Sequence, residues 1–559
     1  MRARRGTLTL PAPPAPSVGF VPVTSFVLPV LAAALALLPT GCHRRETPAQ
    51  AGIRTQTLLV GNGAEPADLD PQVITAYTDE NLALALFEGL TAIDERTSEP
   101  APAAAAAWET SADGLTWTFH LRPDLRWSNG EPLTAADFIA SWRRMLDPAL
   151  AAEYAYLLYP LRNAERFNRG EIRDPAALGC SAPDARTLRL ELARPTPYLA
   201  ALAAQPPWFP VNPRVLARFG AGSRRGTAWT RPGNLVGNGP FTLAEWTPNA
   251  RLVVARNPAY WNASAVTLRS IVFFPNESPD TEERDFRAGQ LHVTASLPLT
   301  KIALYRRDAP DRLRIDPFLQ TFFLRFNTTR PPFDDPRIRR ALALAIDRER
   351  LTRSVLAGAR PPAHTFTPPG CAGYTARARV DFDPAAARRL LADAGHPGGH
   401  GLAPIEVQVR NDDIQPAVME AVQAMWLREL GVRVTLATLE QKSWIENQQT
   451  LNYGASIAAW AGDFLDPVTF LDLFVTNGGN NWTGWKNAAY DRWIAAAATA
   501  PTPAQRGEDF QQAEALLLAE APVTPLYFGA QTYLIDPAVR GWEPALLGFR
   551  RYGLVRLGK

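Results

Sequence analysis

The stretch Asp113 to Phe138, DGLTWTFHLRPDLRWSNGEPLTAADF, constrains the fold more than any other in the chain. Trp117, Phe119 and Leu121 alternate with Thr118, His120 and Arg122, the period of a half-buried strand. Asn129-Gly130 marks a tight turn. Thr134 with Asp137 three residues on has the form of a capping box, and Phe138, Ile139, Trp142 and Met145 give the helix that follows one apolar face.

This order of strand, turn and capped helix resembles the signature of the extracellular solute-binding proteins that deliver oligopeptides, dipeptides or nickel complexes to ABC importers. A second block, GNLVGNGPFTLAEWTPNARLVVARNPAYW from Gly233 to Trp261, resembles another motif of that family, a Gly-rich bend joining strands and ending in Asn-Pro-x-Tyr-Trp. From Phe318 onward the pattern alternates. A strand precedes a helix over 335–356, a helix over 384–394 closed by Gly395, a strand over 405–409, a helix over 416–430 closed by Gly431 and a strand over 432–439. Such alternation argues an α/β lobe.

The resemblance runs from about Leu58 to Leu557 and implies an α/β, two-lobed periplasmic-binding-protein-like fold with an extra domain and a ligand cleft between lobes. The domain order it implies is lobe I over 57–87, 214–319 and 531–559, an additional domain II over 88–213 and lobe III over 320–530. Residues 42–56 are expected as a linker. Crossing segments near Pro213, Phe318 and Gln531 would form a hinge.

The N-terminus reads as a targeting segment. Arg2, Arg4 and Arg5 precede an apolar run from Phe20 to Leu38 that stops at Leu38-Pro39-Thr40-Gly41-Cys42. A small residue before a cysteine resembles a bacterial lipobox, with residues 1–41 removed and Cys42 lipidated, although Pro39 stands where the pattern has an aliphatic residue. Ordinary secretion with a nearby cut is one alternative. A retained membrane helix is another, disfavoured by Pro22 and Pro29 inside the run. Cleavage would take three arginines and no acid from 58 basic and 55 acidic residues, leaving 55 of each. A neutral body gives no electrostatic case for nucleic acid. Cys180 and Cys371 lie far apart in sequence and are expected to stay unbridged.

The second informative stretch is Ala459-Trp460-Ala461-Gly462-Asp463-Phe464-Leu465-Asp466-Pro467. Asp466-Pro467 before an apolar helix reads as N-cap plus N1 proline. Asp463 sits among Trp460 and Phe464, where a carboxylate is costly to bury without a cation. An ordinary loop or cap aspartate is the alternative that the residues leave open. In peptide-binding members of the family the matching aspartate receives the ligand's α-ammonium group. The resemblance further implies that the strip Ala458 to Ala461 offers main-chain groups to an extended peptide, and that Ala459, Trp460, Ala461 and Gly462 belong to the ligand site. It also places Tyr154 and Tyr77 beside the ligand backbone. Where short-peptide binders carry cations for the ligand carboxylate, this chain has Ile457, Gln448 and Gln415. The amino end of a peptide is therefore expected to dominate recognition.

Enzyme readings find little in the sequence. G-x-S-x-G, H-E-x-x-H and a phosphate loop followed by Lys-Ser/Thr are all missing. His396 and His400 flank Pro397-Gly398-Gly399 and are the nearest thing to a metal pair, and Asp412-Asp413 sits at a strand-to-helix junction. A metal-dependent surface hydrolase is the rival from another class; a nickel-chelate, haem or opine binder is the rival within the family. The reading is of a monomeric lipoprotein in the periplasm or on the outer face of the cell membrane, without enzymatic activity or cofactor. It would capture an oligopeptide and hand it to the transmembrane subunits of an ABC permease.

Cys42→Ser is expected to release the protein from membranes or leave it unprocessed, read by fractionation and intact mass. An unchanged membrane fraction of the same processed mass would exclude the lipid anchor.

Overall fold

The structure, a computed structural model, describes residues 46–558 apart from Asp413. The expected leader, the lipid site Cys42 and one half of the Asp412-Asp413 pair lie outside the described residues. The described part of the expected linker is a docked helix, which corrects that expectation. Helix α1 (Pro48–Thr55) begins at a reciprocal cap: Thr47 N–H donates to Gln50 Oε1 (3.0 Å) and Gln50 N–H donates to Thr47 Oγ1 (3.2 Å). Pro48 at the first helical position needs no donor there. The helix is held by His292. Leu59 N–H donates to Nδ1 at 3.0 Å, so the ring proton lies on Nε2 and meets Ala49 O at 2.8 Å. Burial keeps this imidazole below its ordinary pKa, in agreement with a neutral tautomer.

After α1 come β1 (Thr57–Gly61) and α2 (Tyr77–Leu86). The chain then builds an antiparallel sheet from β2 (Ala105–Thr110), β3 (Thr116–Leu121), β4 (Cys180–Asp184) and β5 (Thr187–Glu191), in the order β2-β3-β5-β4. Trp117, Phe119 and Leu121 of β3 are buried, as the alternation requires. Gly130 takes φ +85°, the turn conformation that glycine adopts without strain. At the start of α3 (Ala135–Met145), Thr134 N–H and hydroxyl both donate to Asp137 Oδ2, at 2.8 and 3.1 Å. The chain then returns to the first sheet. Strands β6 (Phe241–Thr247), β7 (Arg251–Arg256) and β8 (Ser270–Phe274) complete the order β1-β8-β7-β6, with β1 and β8 parallel.

The third sheet is mixed. Its first strand, β9 (Leu313–Phe326), runs 14 residues. The single helix expected over 335–356 is two, α4 (Pro336–Leu344) and α5 (Arg348–Ser354). Each has its own aspartate cap: Asp335 Oδ1 accepts from Arg337 N–H (2.8 Å) and Asp347 Oδ1 from Arg350 N–H (2.9 Å), so the second cap restarts what the apolar period alone would continue. Then follow β10 (Ile405–Arg410), α6 (Gln415–Leu430), β11 (Val434–Leu439), α7 (Gln441–Gln449), β12 (Ala455–Ala461) and β13 (Val523–Leu534). The order is β11-β10-β12-β9-β13, with β9 antiparallel to both neighbours. Gly431 ends α6 at φ +68°.

Strands β9 and β13 pair from Leu313–Leu534 to Arg325–Val523, with breaks in register between Phe318 and Thr321 and between Phe322 and Phe323. Gly529 stands opposite Phe318, where a Cβ would lie 2.7 Å from that of Gln320. Cys180 and Cys371 are buried and unbridged.

In a helix interior, replacing glycine by alanine usually gains about 0.5–1 kcal/mol. At Gly52 an added Cβ would lie 2.5 Å from Thr57 O and 2.6 Å from His292 Cε1. Overpacking of that kind costs about 1–3 kcal/mol, so the steric effect wins. Gly52→Ala is expected to lower the calorimetric melting midpoint by about 2 °C or more; a raised midpoint would contradict the docking of α1.

Candidate functional site

A cavity of about 1090 Å³ lies where the first and third sheets face each other, with Gly61 of β1 and Ala461 of β12 on its walls. That volume is at the top of the ordinary range for ligand sites, about 300–1,000 Å³. Its rim includes Tyr154 and Gln205 from the segment between the two passes of the chain through the first sheet.

The structure brings Ala461, Gly462, Asp463, Tyr77 and Tyr154 to this one cavity. Ala459 and Trp460 do not line it. Trp460 packs against the core below, and its buried indole N–H has no partner among the described residues. Tyr77 is held at the rim: its hydroxyl donates to Gly548 O (3.1 Å), accepts from Gln531 Nε2 (2.8 Å), and its ring meets Phe318 edge-on. Tyr154 sits in a short 3-10 turn, ring against Tyr156 at 5.9 Å, its phenol pushed upward in pKa by burial and by Glu80 and Asp463.

Strand β12 supplies a half-open edge. One side pairs with β9 along its whole length, but on the other side β10 pairs only with Ala455 and Ser456. Gly462 N–H donates to Leu319 O at 2.7 Å, toward β9. Alternation along the strand therefore directs the main-chain groups of Ala459 and Ala461 to the opposite edge, beyond the reach of β10. The turn that follows is fixed from several directions. Asp463 N–H donates to Thr469 Oγ1 (3.1 Å), Asp463 O accepts from Gln205 Nε2, and Phe464 stacks on Tyr198 at 4.2 Å. Asp466 does cap the next turn, accepting from Val468 N–H at 3.0 Å, and it also forms a two-point ion pair with Arg506 at 2.6 and 2.8 Å.

Asp463 has no basic partner among the described residues. Burial, and then the nearby Asp472, push its pKa up to about 7. Glu80 on α2 also lines the cavity, raised to about 8 by burial, by Asp463 and by Asp79. Sequence reasoning missed Glu80, which resembles an ordinary first-turn acid beside Asp79. The signal was present in the spacing: Tyr77, Glu80 and Asn81 stand at i, i+3 and i+4, one face of α2, and all three line the cavity.

None of Ile457, Gln448 and Gln415 faces the cavity. Ile457 is core, Gln448 accepts from Arg325 Nη1 (3.2 Å), and Gln415 accepts from Arg410 N–H (3.0 Å). The cavity does carry a basic side chain that sequence reasoning overlooked, Arg360, from the loop Gly358-Ala359-Arg360-Pro361-Pro362. A loop arginine has no period to betray which way it faces. His396 lies at a turn, its Nδ1 against His400 O at 3.0 Å. Among the described residues no group of three or more His, Cys, Asp or Glu is placed to hold a metal ion.

Residues 99–482 match the profile of the bacterial extracellular solute-binding proteins, family 5 middle region, and the chain belongs to that family. It is thus a two-lobed α/β solute-binding protein and not an enzyme. It is 32% identical over 529 residues to the periplasmic oligopeptide-binding protein OppA of Escherichia coli (strain K12), covering 92% of this chain and 95% of that protein. It is 34% identical to the periplasmic murein peptide-binding protein MppA of the same organism, over 86% of this chain and 88% of that one. Haemophilus influenzae OppA in complex with the peptide RPPGFSPFR superposes with a TM-score of 0.74 at 30% identity, over 90% of this chain and 99% of that one.

A carboxyl whose pKa is higher in the folded than in the unfolded state destabilises the fold increasingly as pH rises between the two values. For Glu80 that window runs from 4.5 to about 8. Glu80→Gln is therefore expected to raise the melting midpoint of the ligand-free protein at pH 8, by less at pH 6, and not at pH 4. A gain independent of pH would show that the carboxyl is not held in the cleft.

Proposed function

We propose that the protein captures a short peptide in extended form and presents it to the permease of an ABC importer. The observation that carries this reading is the unpaired Asp463 carboxylate at the end of the half-open edge of β12. An extended ligand lying at the end of that edge would bond the main chain at Ala461 and bring its α-ammonium to Asp463. Recognition of this kind reads the ligand's backbone, so varied side chains are accepted. Tyr77, Tyr154 and Gly462 bound the path, and Trp460 supports the strand from below. The names of the relatives and the bound peptide of the Haemophilus structure support the same ligand class.

The division into lobe I (57–87, 214–319, 531–559), domain II (88–213) and lobe III (320–530) suits this task, with the register break at Phe318–Thr321 as the flexing point. Closure would remove the ligand from water and strengthen each polar contact. The protein would act as a monomer outside the cytoplasm, held to a membrane by lipid on Cys42. Among the described residues no helix is long and apolar enough to cross a membrane.

Calorimetry with trialanine, tetraalanine and pentaalanine and their N-acetylated forms tests the reading. A charge-assisted hydrogen bond contributes about 1.5–3 kcal/mol. Acetylation of the tightest binder, or Asp463→Asn, should therefore weaken binding at least about tenfold, roughly 1.4 kcal/mol. Equal affinity for free and acetylated peptides would exclude Asp463 as the ammonium receptor.

A further inference from the structure

Helix α2 turns Tyr77, Glu80 and Asn81 toward the cleft, and on that face Glu80 has no internal task. Its neighbour Asp79 is buried and accepts from Ala67 N–H at 3.3 Å, which ties α2 to the loop before it. Glu80 has no hydrogen-bond partner among the described residues, and the charges that act on it, Asp463 and then Asp79, are of its own sign. An acid in the first turn ordinarily helps a helix, but only as a carboxylate that stays charged. Burial and Asp463 push Glu80 up to about 8, so without a ligand it gives the helix little charge at neutral pH.

Position shows what the carboxyl faces. Glu80 and Asp463 come from different walls of the cavity, one from α2 beside the first sheet and the other from the turn after β12 in the third. The phenols of Tyr154 and Tyr156 each feel both acids, so the four groups gather in one region of the cleft. Asp472, another acid that acts on Asp463, has Arg194 to offset it. Glu80 has no such cation. An α-ammonium bound at Asp463 completes one of the two cleft carboxyls and leaves the other without a partner, whatever the length of the peptide. The side chain of the first residue leaves the same carbon as that ammonium, so it starts beside Asp463. A lysine there has a four-carbon stem to lay along the tyrosine rings and a charged head to carry across to α2.

We infer that Glu80 reads the side chain of the ligand's first residue and selects a cation there, so that peptides beginning with lysine bind in preference to those beginning with an apolar residue. The inference deepens the peptide reading above and rests on it. Glu80 supplies the charge-assisted hydrogen bond, and Asn81 beside it offers an amide oxygen to a second donor of the same ammonium. A neutral first residue is tolerated, because the Glu80 carboxyl then keeps its proton, but it leaves that carboxyl unpaired. Selectivity is thus a difference between ligands at one position, while the rest of the peptide is read through its backbone.

The test is calorimetry on the wild type, Glu80→Gln and Glu80→Asp with lysine-alanine-alanine, norleucine-alanine-alanine and their forms lengthened by one and two alanines. Norleucine keeps the stem and removes the charge. For the tightest-binding length, the wild type should prefer lysine over norleucine at least about tenfold and Glu80→Gln less than about twofold. Glu80→Asp, whose carboxylate is withdrawn by one methylene, should keep a preference of about threefold. With alanine first and the lysine or norleucine second, the wild-type preference should fall below about threefold. An equal lysine preference in the wild type and either variant, no preference in the wild type, or one as large at the second residue overturns the role of Glu80 while leaving peptide binding intact. Absence of binding by every peptide to the folded wild type overturns the peptide reading itself, and this inference with it. If Glu80→Gln does not fold, the wild-type and Glu80→Asp comparisons still decide, because neither depends on that variant.

Discussion

Two long strands lying side by side, β9 and β13, are the constraint on which the rest of the molecule depends. Their pairing continues from Leu313–Leu534 at one end to Arg325–Val523 at the other. The first end leads toward the first sheet: Ile535, just past β13, bridges to Val293, which bridges in turn to Val60 of β1. The second end sits in the mixed sheet beside β12. One continuous ladder thus links the structures on both sides of the cavity, and the cavity forms where they face each other. The ladder shifts register twice near its middle, at Phe318–Thr321 and at Phe322–Phe323, the first beside a glycine packed too closely for any side chain. Backbone hydrogen bonds hold both strands on either side of these breaks.

The charges of the cleft contrast with several well-bonded sites in the core. Arg144 meets Asp70 at 2.7 Å, Gln72 at 2.7 Å and the carbonyls of Ala221 and Gly222, while Arg348 is bonded to the carbonyls of Pro525 and Ile346. Arg506 and Arg550 each hold an acid. In the cleft, Asp463, Glu80 and Arg360 line the same space with no opposite charge beside them. Leaving ionised groups unpaired in a low dielectric is expensive, and the acids respond by rising in pKa toward neutrality. Unpaired charge that lines an open cavity, unlike unpaired charge sealed in a core, is an arrangement that an arriving ion of opposite sign can complete.

Local signals with a fixed period or a fixed spacing were legible in the chain. The strand at Trp117, the turn at Gly130 and the cap at Thr134 each depend on neighbours a few residues away, and each forms as the pattern dictates. The break between α4 and α5 was hidden because the apolar period runs through it, although Asp347 was there to be read as a second cap. Residues 47–55 were misjudged for a different reason. Proximity to a leader suggested a linker, yet Thr-Pro-Ala-Gln is a helix start, and what makes the helix dock is His292, distant in sequence. Arg360 was invisible because its direction is set by Ala530 and Phe322, which reach it only through the pairing of β9 with β13. Side chains placed by tertiary contacts are beyond any local rule.

The free edge of β12 has one more consequence. An unpaired strand edge is a template for any other strand, and exposed edges of this sort are a common route to aggregation. Here the end of that edge, at Ala461, lies in the wall of a cavity shared with Tyr77, Tyr154 and Gln205, a space whose walls suit one extended chain better than a sheet. Backbone groups left without a partner strand are thus kept off the open surface, where they would invite one.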